Sequence, residues 1–145
     1  MIIKHNNIFT SGAQTLVCPV NRVGVMGAGL ALYFSIRYPT LKAAYKKACK
    51  TDIFDMQGFF LFEDPSGIKI LCFPSKRHWS TDSALEDIIQ GLEDIVAHYK
   101  ALGITSIAMP LVGCGKGGLD PYVVTYEIER YLAPLPIPIY LSQRN

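Results

Sequence analysis

Short apolar runs alternate along the chain with stretches whose apolar residues recur at helical spacing. Thr15-Leu16-Val17-Cys18-Pro19 has the unbroken apolar character of a buried strand. Leu30 to Tyr38 predicts a helix that stops ahead of Pro39, because proline disfavours helix in the residue before it. Thr40 is placed to cap a second helix over Leu41 to Cys49. Gly58 to Phe62 and Ile68 to Phe73 predict two strands, and Asp64-Pro65-Ser66-Gly67 between them is turn chemistry, so a hairpin is expected. Ser83 and Glu86 have capping-box spacing. The helix they would open carries Leu85, Ile88, Ile89, Leu92, Ile95, Val96, Tyr99 and Leu102 on one face and ends at Gly103. Ile104 to Met109 predicts another buried strand. Asp120 and Pro121 predict the cap and first residue of a helix reaching Leu132, and Ile137 to Leu141 predicts a last strand. Strands interleaved with helices imply a sheet covered on both faces.

A length of 145 residues fits one domain, residues 1–145, and half of those residues are hydrophobic, enough to build a core. No apolar run approaches the roughly 18 to 20 residues that span a bilayer, and the N-terminus lacks the apolar stretch of a signal peptide. A cytoplasmic protein without a membrane partner is expected. A net charge of +2 argues against indiscriminate nucleic-acid binding but leaves room for a local basic site. Cys18, Cys49, Cys72 and Cys114 have no zinc-knuckle spacing and read as free thiols in or near the core. Lys42, Lys46, Lys47 and Lys50 read as the solvated side of the second helix.

Two glycine-rich segments each follow a buried strand and precede a helix: Gly24-Val25-Met26-Gly27-Ala28-Gly29 and Gly113-Cys114-Gly115-Lys116-Gly117-Gly118. Ligands of open α/β sheets gather at such strand ends. Glycine lets backbone approach a phosphate, and helix N-termini present free N–H groups to it. A pair of these loops suggests a clamp around a diphosphate, against the plainer reading of two tight turns. Gly113, Gly115 and Gly118 also match G-x-G-x-x-G, but no acidic residue lies in or after the next expected strand, so a Rossmann site is excluded. Pro110 and Gly117 occupy positions where a Walker A motif needs glycine and then Ser or Thr.

Phe73-Pro74-Ser75-Lys76-Arg77-His78-Trp79 leaves another strand. Lys76 is a candidate nucleophile or anion contact, Arg77 a candidate phosphate ligand and Trp79 a surface on which a base can stack. An amine attacks only when unprotonated, and Arg77 is a cationic neighbour that would favour that form. The alternative is a solvated basic loop. His78 reads as a hydrogen-bonding surface group.

Taken in order, Val20-Asn21-Arg22-Val23-Gly24-Val25-Met26-Gly27, then Phe73 to Trp79, Leu85-Glu86-Asp87-Ile88 and Pro110-Leu111-Val112-Gly113-Cys114-Gly115 resemble successive segments of macrodomains. The likeness is to the branch that holds the terminal ADP-ribose protein glycohydrolase and the macrodomains of DarG antitoxins, which remove ADP-ribose from thymidine in DNA. The resemblance implies a three-layer α/β/α sandwich with a mixed sheet. It implies that Gly24 to Gly29 (with Val25, Met26, Gly27 and Ala28) and Val112 to Lys116 (with Gly113, Cys114 and Gly115, after Pro110) embrace a diphosphate and its distal ribose. Asn21 would lie beside that ribose, and Asn7 and Ile8 near the adenine. Lys76 falls on the lysine that this branch uses at the anomeric carbon, with Arg77, His78 and Trp79 as possible substrate contacts.

The chain departs from that branch in two places. Ala28 stands where a lysine is frequent, and Lys116-Gly117-Gly118 shift Asp120 away from the catalytic aspartate of the protein-directed glycohydrolase. The same spacing favours a DarG-like enzyme that acts on DNA. The expected activity is therefore an ADP-ribosyl glycohydrolase, with no metal or cofactor and with ADP-ribose as ligand or product. Open alternatives are a non-enzymatic ADP-ribose reader, an ADP-ribose 1″-phosphate phosphatase and a hydrolase of ADP-ribosyl-glutamate on protein. No toxin partner is assumed.

Overall fold

A computed structural model of the chain describes residues 1–142. Its elements run β1 (Ile2–Lys4), a 3-10 turn (Ile8–Thr10), β2 (Thr15–Val20), α1 (Gly29–Arg37), α2 (Leu41–Ala48), α3 (Ile53–Met56), β3 (Phe60–Glu63), β4 (Lys69–Pro74), α4 (Leu85–His98), β5 (Ile107–Met109), α5 (Pro121–Leu132) and β6 (Ile139–Leu141). The strands form one sheet in the order β1-β6-β5-β2-β4-β3. Every pairing is parallel except β3 with β4, the expected hairpin. Its turn closes through the Asp64 carboxylate, which accepts from the Ser66 N–H at 2.9 Å.

Side chains alternate across this sheet, and both faces are covered. Val17, Leu71, Phe73, Ile107, Met109 and Ile139 pack with Ile88, Leu92 and Ile95 of α4 and Val124, Ile128 and Leu132 of α5. Leu16, Cys18, Ile70, Cys72 and Ala108 face the other way, onto Phe34 of α1 and Leu41 and Tyr45 of α2. That double burial explains why the central strands read as unbroken apolar runs. The expected three-layer sandwich is formed. Cys18 and Cys72 sit opposite each other on β2 and β4 as free thiols.

Several local expectations fail for identifiable reasons. The Ser83–Glu86 capping box does not form. The Ser83 N–H donates to the Gly117 carbonyl at 3.0 Å, so Ser83 belongs to the second glycine loop and α4 begins later, with Ala84 at its N-cap and no side-chain cap. Thr40 already has helical dihedrals (φ −84°, ψ −12°) and makes no cap bond, because only three residues join α1 to α2. The strand expected from Ile104 is shorter: the Ile104 N–H turns back to the Tyr99 carbonyl at 2.9 Å after Gly103 (φ +70°), closing α4. Val96 is exposed and lies off the apolar face of α4. The Asp120 cap does form, its carboxylate accepting from the Tyr122 N–H at 2.8 Å with Pro121 opening α5.

Candidate active site

Because β2, β4 and β5 are parallel neighbours, their C-terminal ends and the loops that leave them share one edge of the sheet. The loops after β2 (21–28), after β4 (75–84) and after β5 (110–120) surround a cleft of about 500 Å³. Asn21, Val25, Gly27 and Ala28 line it from the first loop, with Gly29 at the start of α1, Ser75, Lys76, Trp79 and Ser83 from the second, and Gly113, Gly115, Lys116 and Gly117 from the third. The two glycine segments and Lys76 therefore meet at one site.

Asn21 organises the first loop. Its Oδ1 accepts from the Val23 and Val25 N–H groups at 3.0 and 3.3 Å, and its Nδ2 donates to the Val25 carbonyl at 2.8 Å. Behind it stands Tyr45 of α2, fully buried, whose hydroxyl lies 2.7 Å from both the Asn21 carbonyl and its Oδ1. Burial, followed by the neighbouring Cys49, pushes the Tyr45 phenol far above its ordinary range, so it stays a neutral donor. Tyr45→Phe should cost about 1–2 kcal/mol in urea unfolding, since the buried Asn21 carbonyl loses its donor. The loop ends at α1, where Ala28 is the N-cap without a side-chain bond. The N–H groups of Gly29, Leu30 and Ala31 precede the first intrahelical bond, and all three residues line the cleft. That is an anion-binding geometry.

The third loop needs its glycines for close packing. Gly113 has φ +79°, and a Cβ there would meet the Leu119 side chain at 2.8 Å. A Cβ on Gly117 would lie 2.3 Å from the Ser83 Oγ and 2.4 Å from the Gly113 carbonyl oxygen. The Cys114 thiol is pushed up to about 11, first by burial and then by the charge of Asp120, so it is no thiolate near neutral pH.

Lys76 is half-buried, and its backbone N–H is tied to the Val20 carbonyl at 3.3 Å, which anchors it beside the end of β2. Arg77 does not join it. Its guanidinium pairs with Asp87 of α4 at 3.2 Å and lines a second, smaller pocket of about 250 Å³ with Arg22 and Asp94. The cationic neighbour expected for Lys76 is thus turned away and balanced by a carboxylate. Trp79 lines the cleft and is 59% exposed, while His78 packs against its ring and bonds Ser80.

Other sequence candidates support the cleft or stand apart from its lining. Gly24, Met26, Pro110 and Val112 are buried within the loops and do not line the cleft, and Cys114 is half-buried. Asn7 caps the 3-10 turn by accepting from the Phe9 N–H at 2.9 Å, and Ile8 is buried in the α1–α2 side of the core. Asp120 is occupied as a helix cap. Sequence reasoning missed Pro19, Val20, Leu30, Ala31, Ser75, Ser83 and Leu111, all of which line the cleft. Position beside Lys76 could have flagged Ser75; nothing local distinguishes the others. Among the described residues no group of three or more His, Cys, Asp or Glu side chains is arranged to hold a metal ion, and no helix is long and apolar enough to cross a membrane.

Comparison with known proteins adds independent information. A DNA ADP-ribosyl glycohydrolase of Mycobacterium tuberculosis is 41% identical over 90% of this chain, and a DNA ADP-ribosyl transferase–DNA ADP-ribosyl glycohydrolase fusion protein of Thermosipho africanus is 35% identical over 96% of it. The chain spans about two-fifths of the length of these curated relatives, 38% and 40% respectively. The macrodomain of Mycobacterium tuberculosis DarG superposes with a TM-score of 0.91 at 35% identity, covering 98% of this chain and 97% of that one. Thermosipho africanus DarTG in complex with ADP-ribose superposes at 0.89 and 36% identity, covering 96% of this chain and 40% of that one. The Macro domain family model matches residues 17–127, which carry both glycine loops and Lys76 on the sandwich described above, and the chain belongs to that family: it is a macrodomain.

Proposed function

We propose that this macrodomain binds ADP-ribose in the cleft and hydrolyses the bond joining it to DNA. The observation that carries this reading is the convergence of two glycine loops and one lysine on a single cleft at the ends of three parallel strands. The names of its relatives, DNA ADP-ribosyl glycohydrolases, support the same reading. So does the ADP-ribose bound to the Thermosipho protein.

In this scheme the α1 N-terminus with Gly27–Gly29 and the loop Gly113–Lys116 hold the diphosphate and distal ribose. Asn21 shapes the first loop and lies beside that ribose, and Asn7 and Ile8 stand toward the adenine. The unprotonated Lys76 amine attacks the anomeric carbon, forming a C–N bond as the bond to the nucleobase breaks. The base departs with the electron pair and takes up a proton. Water then adds at the same carbon, releasing the lysine nitrogen and free ADP-ribose. Trp79, exposed at the rim, offers a stacking surface to a base of the substrate.

The test is parallel incubation with DNA carrying ADP-ribosylated thymidine, protein carrying ADP-ribosylated glutamate, and ADP-ribose 1″-phosphate. Release of ADP-ribose from the DNA is expected. Release from the protein alone would redirect the enzyme to carboxylate esters, and inorganic phosphate alone would make it a phosphatase. ADP-ribose binding without turnover of any of the three would make it a reader.

A further inference from the structure

Ser83 is the expected helix cap that does not cap. It is 8% exposed, and its Oγ has no hydrogen-bond partner among the described residues. A buried hydroxyl in that condition penalises the folded protein, so its persistence at a site calls for a reason. Ser83 lines the cleft, and its backbone N–H is fixed to the Gly117 carbonyl at 3.0 Å. Its Oγ therefore sits directly beneath the third loop, at the place where a Cβ on Gly117 would come within 2.3 Å of it. That loop is bounded by two residues with positive φ, Gly113 and Gly118, both at +79°. The hydroxyl is sealed under Gly117, so a ligand oxygen reaches it from the cleft only if Gly117 shifts.

We infer that Ser83 is a ligand-binding residue whose hydroxyl donates to a phosphate oxygen of ADP-ribose held by the third loop. The inference rests on ADP-ribose occupying the cleft. A serine hydroxyl suits an anionic oxygen, because donation to a charged acceptor is stronger than to a neutral one. The ligand then supplies the partner that the protein alone withholds. Ser83 is thus a place where stability is given up for binding, and the two properties should move in opposite directions when the hydroxyl is removed.

The experiment is calorimetric titration of ADP-ribose into wild type and Ser83→Ala, with thermal unfolding of both proteins in its absence. The alanine variant should bind about tenfold more weakly and yet unfold about 3 °C higher. Wild-type affinity in the variant would overturn the role of Ser83 while leaving the reading of the cleft intact. Weaker binding together with a lower unfolding temperature would also overturn it, since that is the signature of a merely structural hydroxyl. If wild type itself gives no heat with ADP-ribose, the proposed function fails first and this inference with it.

Discussion

Lys76→Ala should abolish release of ADP-ribose from modified DNA, by at least about a thousandfold in kcat, while ADP-ribose affinity changes by less than about tenfold. The asymmetry follows from where the residue stands. In the proposed scheme the glycine loops and the α1 N-terminus hold the diphosphate without help from Lys76, whose place is on the separate loop that leaves β4. Lys76→Arg sharpens the test. A guanidinium keeps the positive charge but does not deprotonate or act as a nucleophile. If the lysine serves only as a charge, arginine should restore much of the rate; if its nitrogen bonds to the anomeric carbon, arginine should be as inactive as alanine. A covalent adduct seen by intact mass during turnover of the wild type, and missing in both variants, would establish the bond. Undiminished turnover in Lys76→Ala would remove the lysine from the mechanism altogether.

The candidate site was more legible in the chain than its exact contacts were. Glycine loops that follow buried strands could be found because glycine and apolar runs have local signatures, and parallel strand order then brings their ends together. β1 and α3, three and four residues long, were not legible, because neither sits in a longer apolar run of the kind that marked the equally short β5 and β6. Arg77 illustrates a different limit. Sequence placed a cation beside Lys76, but Asp87, ten positions on in the first turn of α4, captures it, and no local pattern announces that pairing. Ser83 was misread for the same reason. Its spacing to Glu86 was a true capping pattern, overridden by a bond to Gly117 that only the folded chain can make. Asn21 was picked out for a ribose, yet most of its side-chain bonding goes to the loop around it. Tyr45, which holds Asn21 from α2, could not have been linked to it from sequence at all.

Gly91→Ala should destabilise the protein by about 2 kcal/mol, although alanine is the better helix former. Gly91 is buried in the middle of α4, a position where glycine alone costs about 1 kcal/mol relative to alanine. On an exposed helix face the substitution would therefore stabilise. Here the new methyl would lie 2.3, 2.6 and 2.9 Å from three ring atoms of Phe73. Phe73 is itself fully buried on β4. Overpacking of that kind costs about 3 kcal/mol, which outweighs the gain in helix propensity. Urea unfolding measures the difference, and Ala97→Gly on the exposed side of the same helix, expected to lose about 1 kcal/mol, calibrates the propensity term. Adding Phe73→Leu to Gly91→Ala should recover stability relative to the sum of the single changes, because the smaller side chain relieves the clash. Activity should fall as well. Phe73 lies three residues before Lys76, and a shift of about 1 Å at a reacting group can cost a hundredfold in rate. A Gly91→Ala protein as stable as wild type would mean that α4 can slide away from β4, and that the close approach of helix and strand is not what sets the position of the Lys76 loop.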